Sequence, residues 1–296
     1  MTRASALVRG YADWGEGQVH YRHVGSGPAV ILLGGAPRSG GQFEPVIEQL
    51  AAAGLHAVAP DIPGFGASSP FPVGSSMEDI AAFLLPVLDA LGVERAVLFG
   101  LHSGGKLAAA FAAGHPDRTA GLIVAGKSHS IGVDQQHRNR TVREVVVERY
   151  FANGADEVDG PDPLRGWTAQ WRNLTKLWWD DAIHFADDKV TMLKALEARI
   201  IDDLSARRTV RDFYAANFAF DFSAALAAAR CPSLIAEITS PAEDAAIGRQ
   251  GGGLAAIMAD ARVIELPETD PLGVYFHVGF EAVSSLITGF VAGNSG

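Results

Sequence analysis

Short apolar runs bounded by glycine or proline alternate along this chain with stretches of helical periodicity. The apolar runs, which have the length and composition of buried β-strands, lie at 18–24, 29–34, 55–60, 95–100, 119–125, 233–238 and 261–266. The helical patterns lie at 43–53, 77–91, 104–114 and 281–292. Continuous apolar strands are typical of a sheet covered on both faces. Their alternation with helices predicts βαβ units on a mainly parallel sheet.

The alternation stops near residue 126 and resumes near residue 231. The residues between these points are rich in charge and aromatic side chains and have helical periodicity. We therefore predict a core domain formed by residues 1–126 and 231–296, with a helical cap, or lid, formed by residues 127–230.

Four of the five tryptophans lie in the predicted cap, and two of them, Trp171 and Trp178, are candidate pocket residues. Ligand sites favour aromatic walls at the junction between domains. The alternative is that these side chains only hold the cap against the core.

Composition excludes several classes of function. The chain has 296 residues, 48% of them hydrophobic, and a net charge of −10, with no basic patch, so we expect no nucleic-acid partner. Its single cysteine, Cys231, cannot form an internal disulfide framework or a cysteine-rich zinc site. The histidines lack metal-binding spacing and no phosphate-binding glycine loop is present, so we expect no metal and no cofactor.

The N-terminal stretch has no secretory signal pattern, and no segment has the roughly 18 consecutive apolar residues of a membrane span. We therefore expect a cytoplasmic protein without a membrane partner. A homodimer is an open possibility.

Four motifs follow one another in a characteristic order. They are GSGPAVILLGGAP at 25–37, HAVAPDIPGFGAS at 56–68, AVLFGLHSGG at 96–105 and AGHPDR at 113–118. This order, with a helical insertion after it, resembles the α/β-hydrolase superfamily, in the capped branch of epoxide hydrolases, haloalkane dehalogenases and esterases. The resemblance implies an α/β-hydrolase fold: a mostly parallel eight-stranded sheet flanked by helices, with a cap inserted between strands, and a small-molecule substrate.

In that fold the nucleophile lies on a strained turn from strand to helix, with small residues two positions before and after it. Gly100, His102 and Gly104 fit this pattern, so His102 is the predicted residue at the tip, where the family usually has Ser, Asp or Cys. The alternative, Ser103, would place Leu101 where a glycine is needed. The spacing to the flanking motifs also favours His102.

The resemblance implies a catalytic acid after the strand that follows the cap. Residues 237–241 place Ser240 where the aspartate is expected, and the second acid position, at 126–129, offers no carboxylate. Glu243 and Asp244 could substitute only if the loop is displaced. Ser240 is retained as a candidate pocket residue.

The resemblance also implies a catalytic histidine in the loop at 267–280, near Asp270. No histidine stands there, and Asp270 becomes a candidate pocket residue. His277 lies a few residues later and is the second candidate catalytic residue. A structural role at the start of the last helix is its alternative.

An oxyanion hole is implied at the backbone N–H groups of Ala36 and Ser103. Gly35 and Arg38, in the same loop as Ala36, are candidate pocket residues. For Arg38, a solvated surface position is equally open.

A histidine at the N-terminus of a helix has a lowered pKa, because the helix dipole opposes a positive charge. We therefore expect His102 to be neutral and to act as a base or hydrogen-bonding group on a small apolar carbonyl or ester-type compound, in hydrolytic or lyase-type chemistry. Two alternatives stay open: a ligand-binding protein without a triad, and a serine esterase that uses Ser103 with His277.

Overall fold

The computed structural model describes residues 6–132, 189–270 and 276–294. These residues contain one eight-stranded sheet in the order β1-β2-β4-β3-β5-β6-β7-β8. The strands are β1 (Val8–Trp14), β2 (Gly17–Val24), β3 (Ala29–Leu33), β4 (His56–Pro60), β5 (Ala96–Leu101), β6 (Thr119–Lys127), β7 (Ser233–Thr239) and β8 (Ala261–Pro267). β2 is antiparallel to both neighbours, and every other pair is parallel. The prediction of a mostly parallel eight-stranded sheet is confirmed.

Helices flank the sheet along the described part of the chain. They are α1 (Glu44–Ala52), α2 (Met77–Ala81), α3 (Leu84–Ala90), α4 (Ser103–Gly114), α5 (Ser128–Ile131), α6 (Lys189–Ser205), α7 (Val210–Ala219), α8 (Phe222–Ala228), α9 (Pro241–Ala246), α10 (Gly251–Ala256) and α11 (Phe280–Gly293). Short 3-10 turns lie at Gly40–Phe43, Pro116–Arg118 and Ala206–Arg208.

Both faces of the sheet are buried. Consecutive residues of β5 point to opposite faces, and Leu98 and Phe99 belong to two different apolar clusters. Leu98 shares its cluster with Leu107 of α4, while Phe99 shares its cluster with Ile287 of α11. This two-sided burial explains why the central strands are continuous apolar runs in the sequence.

Part of the predicted cap packs directly on the core. Phe213 of α7 and Phe222 of α8 are fully buried in the cluster that contains α4. The domain boundaries themselves, at 127 and 230, remain a prediction. No helix within the described ranges is long and apolar enough to cross a membrane.

Two local differences from the sequence prediction have physical causes. The single helix predicted at 77–91 is divided into α2 and α3, because in a continuous helix Pro86 would have no N–H to donate to Ala82 and its ring would clash with that carbonyl. β1 was not among the predicted strands. It is a sheet edge in which only Ala12 is buried, so it lacks the apolar pattern that marks the other strands.

Candidate functional site

His102 lies at the turn between β5 and α4. Its backbone has φ 52° and ψ −117°, a left-handed conformation that costs energy for a residue with a side chain. Its N–H donates to the carbonyl oxygen of Ala125 on β6 at 2.9 Å, and its own carbonyl accepts from the N–H of Gly105 at 3.0 Å. The neighbouring strand and the first turn of α4 thus hold the strained turn in place.

Close backbone packing explains the glycines on either side of this turn. A Cβ on Gly100 would lie 2.4 Å from the carbonyl oxygen of Gly104, and a Cβ on Gly104 would lie 2.3 Å from that of Leu33. Neither site has room for a side chain. The turn therefore places His102 at its tip, with Ser103 as the first residue of α4.

The imidazole of His102 has a defined tautomer. Its Nδ1 lies 2.8 Å from Oγ of Ser130, and the Ser130 hydroxyl donates to the carbonyl oxygen of Lys127 at 2.8 Å. A hydroxyl has a single proton. Since Ser130 gives this proton to Lys127, it accepts at Oγ from the N–H at Nδ1 of His102, and the lone pair of the neutral ring is at Nε2.

Burial lowers the pKa of His102 well below its ordinary value of 6.5, and positive charge on His277, His129, Lys127 and Arg199 lowers it further. The helix dipole of α4 acts in the same direction. The ring is therefore neutral at pH 7 and has a free lone pair.

His277 lies beside His102, with ring centroids 5.5 Å apart and the planes at 76°. Its Nδ1 is 2.9 Å from Oε1 of Glu268, the residue that follows β8. The same Glu268 oxygen lies 2.7 Å from Nζ of Lys127. His277 and Glu268 form an imidazole–carboxylate pair that fixes the orientation of the ring.

Backbone contacts hold the His277 segment against the end of β8. His277 and Phe276 both have left-handed backbones, with φ 69° and 64°. The carbonyl oxygen of His277 accepts from the N–H groups of Thr269 and Asp270 at 2.8 and 2.9 Å. Burial and Lys127 lower the pKa of His277, and Glu268 opposes this shift. Asp270, a predicted pocket residue, thus contacts His277 through a backbone hydrogen bond.

His129 is a third histidine at this site, and sequence reasoning missed its place there. Its ring is stacked on that of His102 at a centroid distance of 6.4 Å and an angle of 23°. Its Nδ1 is hydrogen-bonded to Oε1 of Glu243, which also accepts from the backbone N–H of His129 at 3.0 Å. The available signal was its position directly after β6, because carboxyl ends of adjacent parallel strands meet at one sheet edge.

The last residue of β6 and the three residues that follow it connect the segments at this edge of the sheet. Each contacts a different element: the pairs are Lys127 with Glu268, Ser128 with Glu237, His129 with Glu243, and Ser130 with His102. Burial alone would raise the pKa of Glu243, but the hydrogen bonds from His129 keep it below its ordinary value. Glu243 is therefore ionised at pH 7.

The predicted oxyanion loop packs against His102. A Cβ on Gly35 would lie 3.4 Å from Cβ of His102. The backbone N–H of Ala36 donates to Oγ of Ser103 at 2.7 Å, and its carbonyl oxygen accepts from the hydroxyl of Tyr214 at 3.2 Å. One of the two expected oxyanion donors is thus engaged by a side chain of the protein itself.

Arg38 connects this loop to α6. Its Nη1 donates to the carbonyl oxygen of Arg199 at 2.6 Å and lies 3.1 Å from Oδ1 of Asp203. The neighbouring Ser39 N–H donates to Oδ2 of Asp202 at 2.9 Å. Arg38 is 14% exposed, so it is an internal connection rather than a solvated surface side chain.

The remaining sequence candidates have other surroundings. Ser240 is buried, and its hydroxyl caps α9 by accepting from the N–H of Glu243 at 3.4 Å. Glu237, an acidic residue of β7 three positions before Ser240, accepts from the N–H groups of Gln250 and Gly251 at 2.7 and 2.8 Å. Two more candidates lie outside the described residues: Trp171 and Trp178.

Metal binding has no support within the described ranges, where no group of three or more His, Cys, Asp or Glu side chains could hold an ion.

The imidazoles of His129, His102 and His277 form a row with His102 in the middle, because His102 has a ring contact with each of the other two.

Comparison with known proteins supports the fold. Residues 28–155 match the family model described as the alpha/beta hydrolase fold. A putative epoxide hydrolase from Pseudomonas aeruginosa has a similar structure over 98% of this chain and 96% of that one, with a TM-score of 0.73 and 17% identity. A thermophilic esterase from Thermogutta terrifontis, solved with malate bound, covers 99% and 100%, with a TM-score of 0.64 and 22% identity.

The chain has the α/β-hydrolase fold. Its sequence relatives include the 2-hydroxy-6-oxononadienedioate/2-hydroxy-6-oxononatrienedioate hydrolase of Paraburkholderia phymatum, 35% identical over 135 residues. That match covers 43% of this chain and 47% of the relative. Epoxide hydrolase B of Mycobacterium tuberculosis is 38% identical over 99 residues, 33% of this chain and 28% of the relative. The matched segments thus span less than half of either relative.

Proposed function

We propose that this protein is an enzyme that adds water to small apolar carbonyl or ester-type compounds by general-base catalysis, with His102 as the base in place of the usual nucleophile. The names of its relatives, which include hydrolases of oxo-acids and of epoxides, support a hydrolytic reaction. The position of His102 on the strained turn between β5 and α4 supports its role.

The hydrogen bond between His102 and Ser130 is the observation that carries the proposal. Because Ser130 donates its only proton to Lys127, it holds the proton of His102 on Nδ1 and keeps the lone pair on Nε2. Burial and neighbouring cations lower the pKa of His102, so the base form is populated at pH 7. A neutral, oriented imidazole is the group that general-base catalysis requires.

The proposed reaction begins when Nε2 of His102 takes a proton from a water molecule as the water oxygen attacks the carbonyl carbon. The carbonyl oxygen becomes an oxyanion, stabilised by the backbone N–H of Ser103. When the tetrahedral intermediate collapses, the bond to the leaving oxygen breaks and the imidazolium of His102 returns the proton to that oxygen. An acid and an alcohol leave, and the base is restored.

His277 has a supporting role in this proposal. Its Nδ1 is held by Glu268 at 2.9 Å, and its ring centroid is 5.5 Å from that of His102. In the neutral state it presents Nε2 as a hydrogen-bond acceptor for the attacking water. Two oriented acceptors restrict the directions from which the water can approach, which lowers the entropic part of the barrier.

Kinetics on a panel of p-nitrophenyl esters test the proposal. His102→Gln should lower kcat/KM by about 100-fold or more, while His115→Gln, at the opposite end of α4, should have no effect. A fluorophosphonate probe should leave Ser103 unlabelled. Labelling of Ser103, or a His102→Gln variant with wild-type activity, would contradict the proposal.

A ligand-binding protein is the second candidate, because one specific contact favours it. The N–H of Ala36 is hydrogen-bonded to Oγ of Ser103, which leaves the oxyanion hole with one open backbone donor. If the wild type turns over no ester but binds an apolar carbonyl compound tightly in calorimetry, this second candidate replaces the first.

A further inference from the structure

The row of three histidines contains one residue, His129, that has no role in the proposed reaction. His277 and His129 flank His102, with ring centroids at 5.5 and 6.4 Å. Each of the two outer rings has its Nδ1 on a carboxylate, Glu268 for His277 and Glu243 for His129. A His–carboxylate pair orients the ring and stabilises the imidazolium when it forms.

The two ends of the row differ in their access to solvent. The side chain of His129 is 35% exposed, and that of His277 is 21% exposed. Glu243, which holds His129, is only 8% exposed, and its Oε2 is buried without a hydrogen-bond partner among the described residues. Burying an ionised carboxylate is costly unless it is paired, and His129 supplies the partner for Glu243 through its ring and its backbone N–H.

We propose that His129, held by Glu243, is a proton-relay residue that accepts the proton from His102 and passes it to solvent. This inference rests on the proposed function and concerns turnovers in which the leaving group departs as an anion, so that His102 keeps the proton it took from water. His129 acts through His102 and does not contact the substrate. Because the same acidic residue binds both its ring and its backbone N–H, His129 has one fixed orientation beside the base.

The proton balance of this relay is simple. Protonated His102 gives the proton from Nε2 to an intervening water, because a ring separation of 6.4 Å is too long for a direct hydrogen bond between ring nitrogens. That water gives a proton to Nε2 of His129, whose Nδ1 proton stays with Glu243. The imidazolium of His129 then loses the Nε2 proton to bulk water or buffer. The relay is needed in turnovers whose product leaves as an anion without taking the proton.

The surrounding charges favour transfer in this direction. Lys127, His277 and Arg199 all oppose positive charge on His102. Glu243 places a carboxylate at hydrogen-bond distance from His129. A proton on His129 therefore has a carboxylate partner, whereas the neighbouring charges that lower the pKa of His102 are all positive.

Buffer dependence tests the relay. In dilute buffer, His129→Gln should lower kcat on a p-nitrophenyl ester by about tenfold with little change in KM, and added imidazole should restore it, because a small base can replace a lost proton carrier. His115→Gln, the matched control, should respond to neither change. The relay would be overturned if His129→Gln had the same kcat as wild type in dilute buffer. It would also be overturned if imidazole did not restore the lost kcat.

A second measurement keeps failure of the relay distinct from failure of the proposed function. If the wild type hydrolyses no ester, the proposed function fails, and an ¹⁵N histidine NMR titration of the full chain still tests the coupling that a relay requires. His129→Gln should raise the pKa of His102, because His129 is one of the groups that lower it, and His115→Gln should leave it unchanged. An unchanged His102 titration in His129→Gln would overturn the relay.

Discussion

Nδ1 of His102 lies 2.8 Å from Oγ of Ser130, and this contact fixes which nitrogen of the neutral imidazole keeps its lone pair. The serine does so because its own proton is committed to the carbonyl oxygen of Lys127. Ser130, which lies outside the turn, thus sets the tautomer of His102 at its tip.

Ser130→Ala should remove this control. Without the acceptor, the proton of the neutral ring can move to Nε2, and we expect kcat to fall by about 10- to 100-fold. Ser130→Thr keeps the hydroxyl and should restore most of the activity. Steady-state kinetics on p-nitrophenyl esters measure both variants, and equal activity of Ala and wild type would show that Ser130 does not orient the ring.

Ser103→Ala separates the proposed mechanism from a serine esterase. Its Oγ accepts the N–H of Ala36, so the substitution should free a second oxyanion donor while the N–H of Ser103 is kept. We expect kcat/KM within about fivefold of wild type, the scale of one net hydrogen bond. Abolished activity, measured on the same esters, would identify Ser103 as the nucleophile.

Acid should destabilise the protein through His102 and His277. Burial and neighbouring cations lower the pKa of both rings in the folded state. As pH falls below the ordinary value of 6.5, the unfolded chain therefore binds protons that the folded chain does not, and the free energy of unfolding decreases. Urea unfolding between about pH 7.5 and 5 measures this slope. The decrease of the free energy of unfolding with falling pH should be smaller in His102→Gln than in wild type, and an equal decrease in both would contradict the burial of a neutral His102.

Gly104→Ala should distort the turn that holds His102. Its Cβ would lie 2.3 Å from the carbonyl oxygen of Leu33, and we expect a loss of about 1–3 kcal/mol in the free energy of unfolding. Gly114→Ala, in the same helix, has nothing within 4 Å and should be neutral or stabilising by up to about 1 kcal/mol. Denaturant unfolding of the pair gives the comparison, and equal stability of the two variants would contradict the packing argument.

Much of the fold could be predicted because burial leaves a strong pattern. Strands covered on both faces, such as β3 and β5, are continuous apolar runs, and their boundaries in the sequence agree with the structure within about two residues. β1 has no such pattern because it is an exposed edge. The short helices α9 and α10 were also not predicted, since six residues give too few turns for a clear helical period.

The site was less predictable because its contacts join distant segments. The glycines around His102 have a local steric cause, so spacing alone could indicate the tip of the turn. Glu243 meets His129 across 114 positions, and this contact depends on where α9 begins after β7. Sequence reasoning considered Glu243 only as a replacement acid, and it did not consider Glu268, which directly follows β8.

The most direct test of the account is the protonation state of His102 itself, measured by long-range ¹H–¹⁵N NMR on the full chain with ¹⁵N-labelled histidine. At about pH 7 we predict a neutral ring with its proton on Nδ1 and an unprotonated Nε2, and this state should persist below the ordinary pKa of 6.5. An imidazolium at pH 7, or a proton on Nε2 of the neutral ring, would contradict the assignment of His102 as the general base.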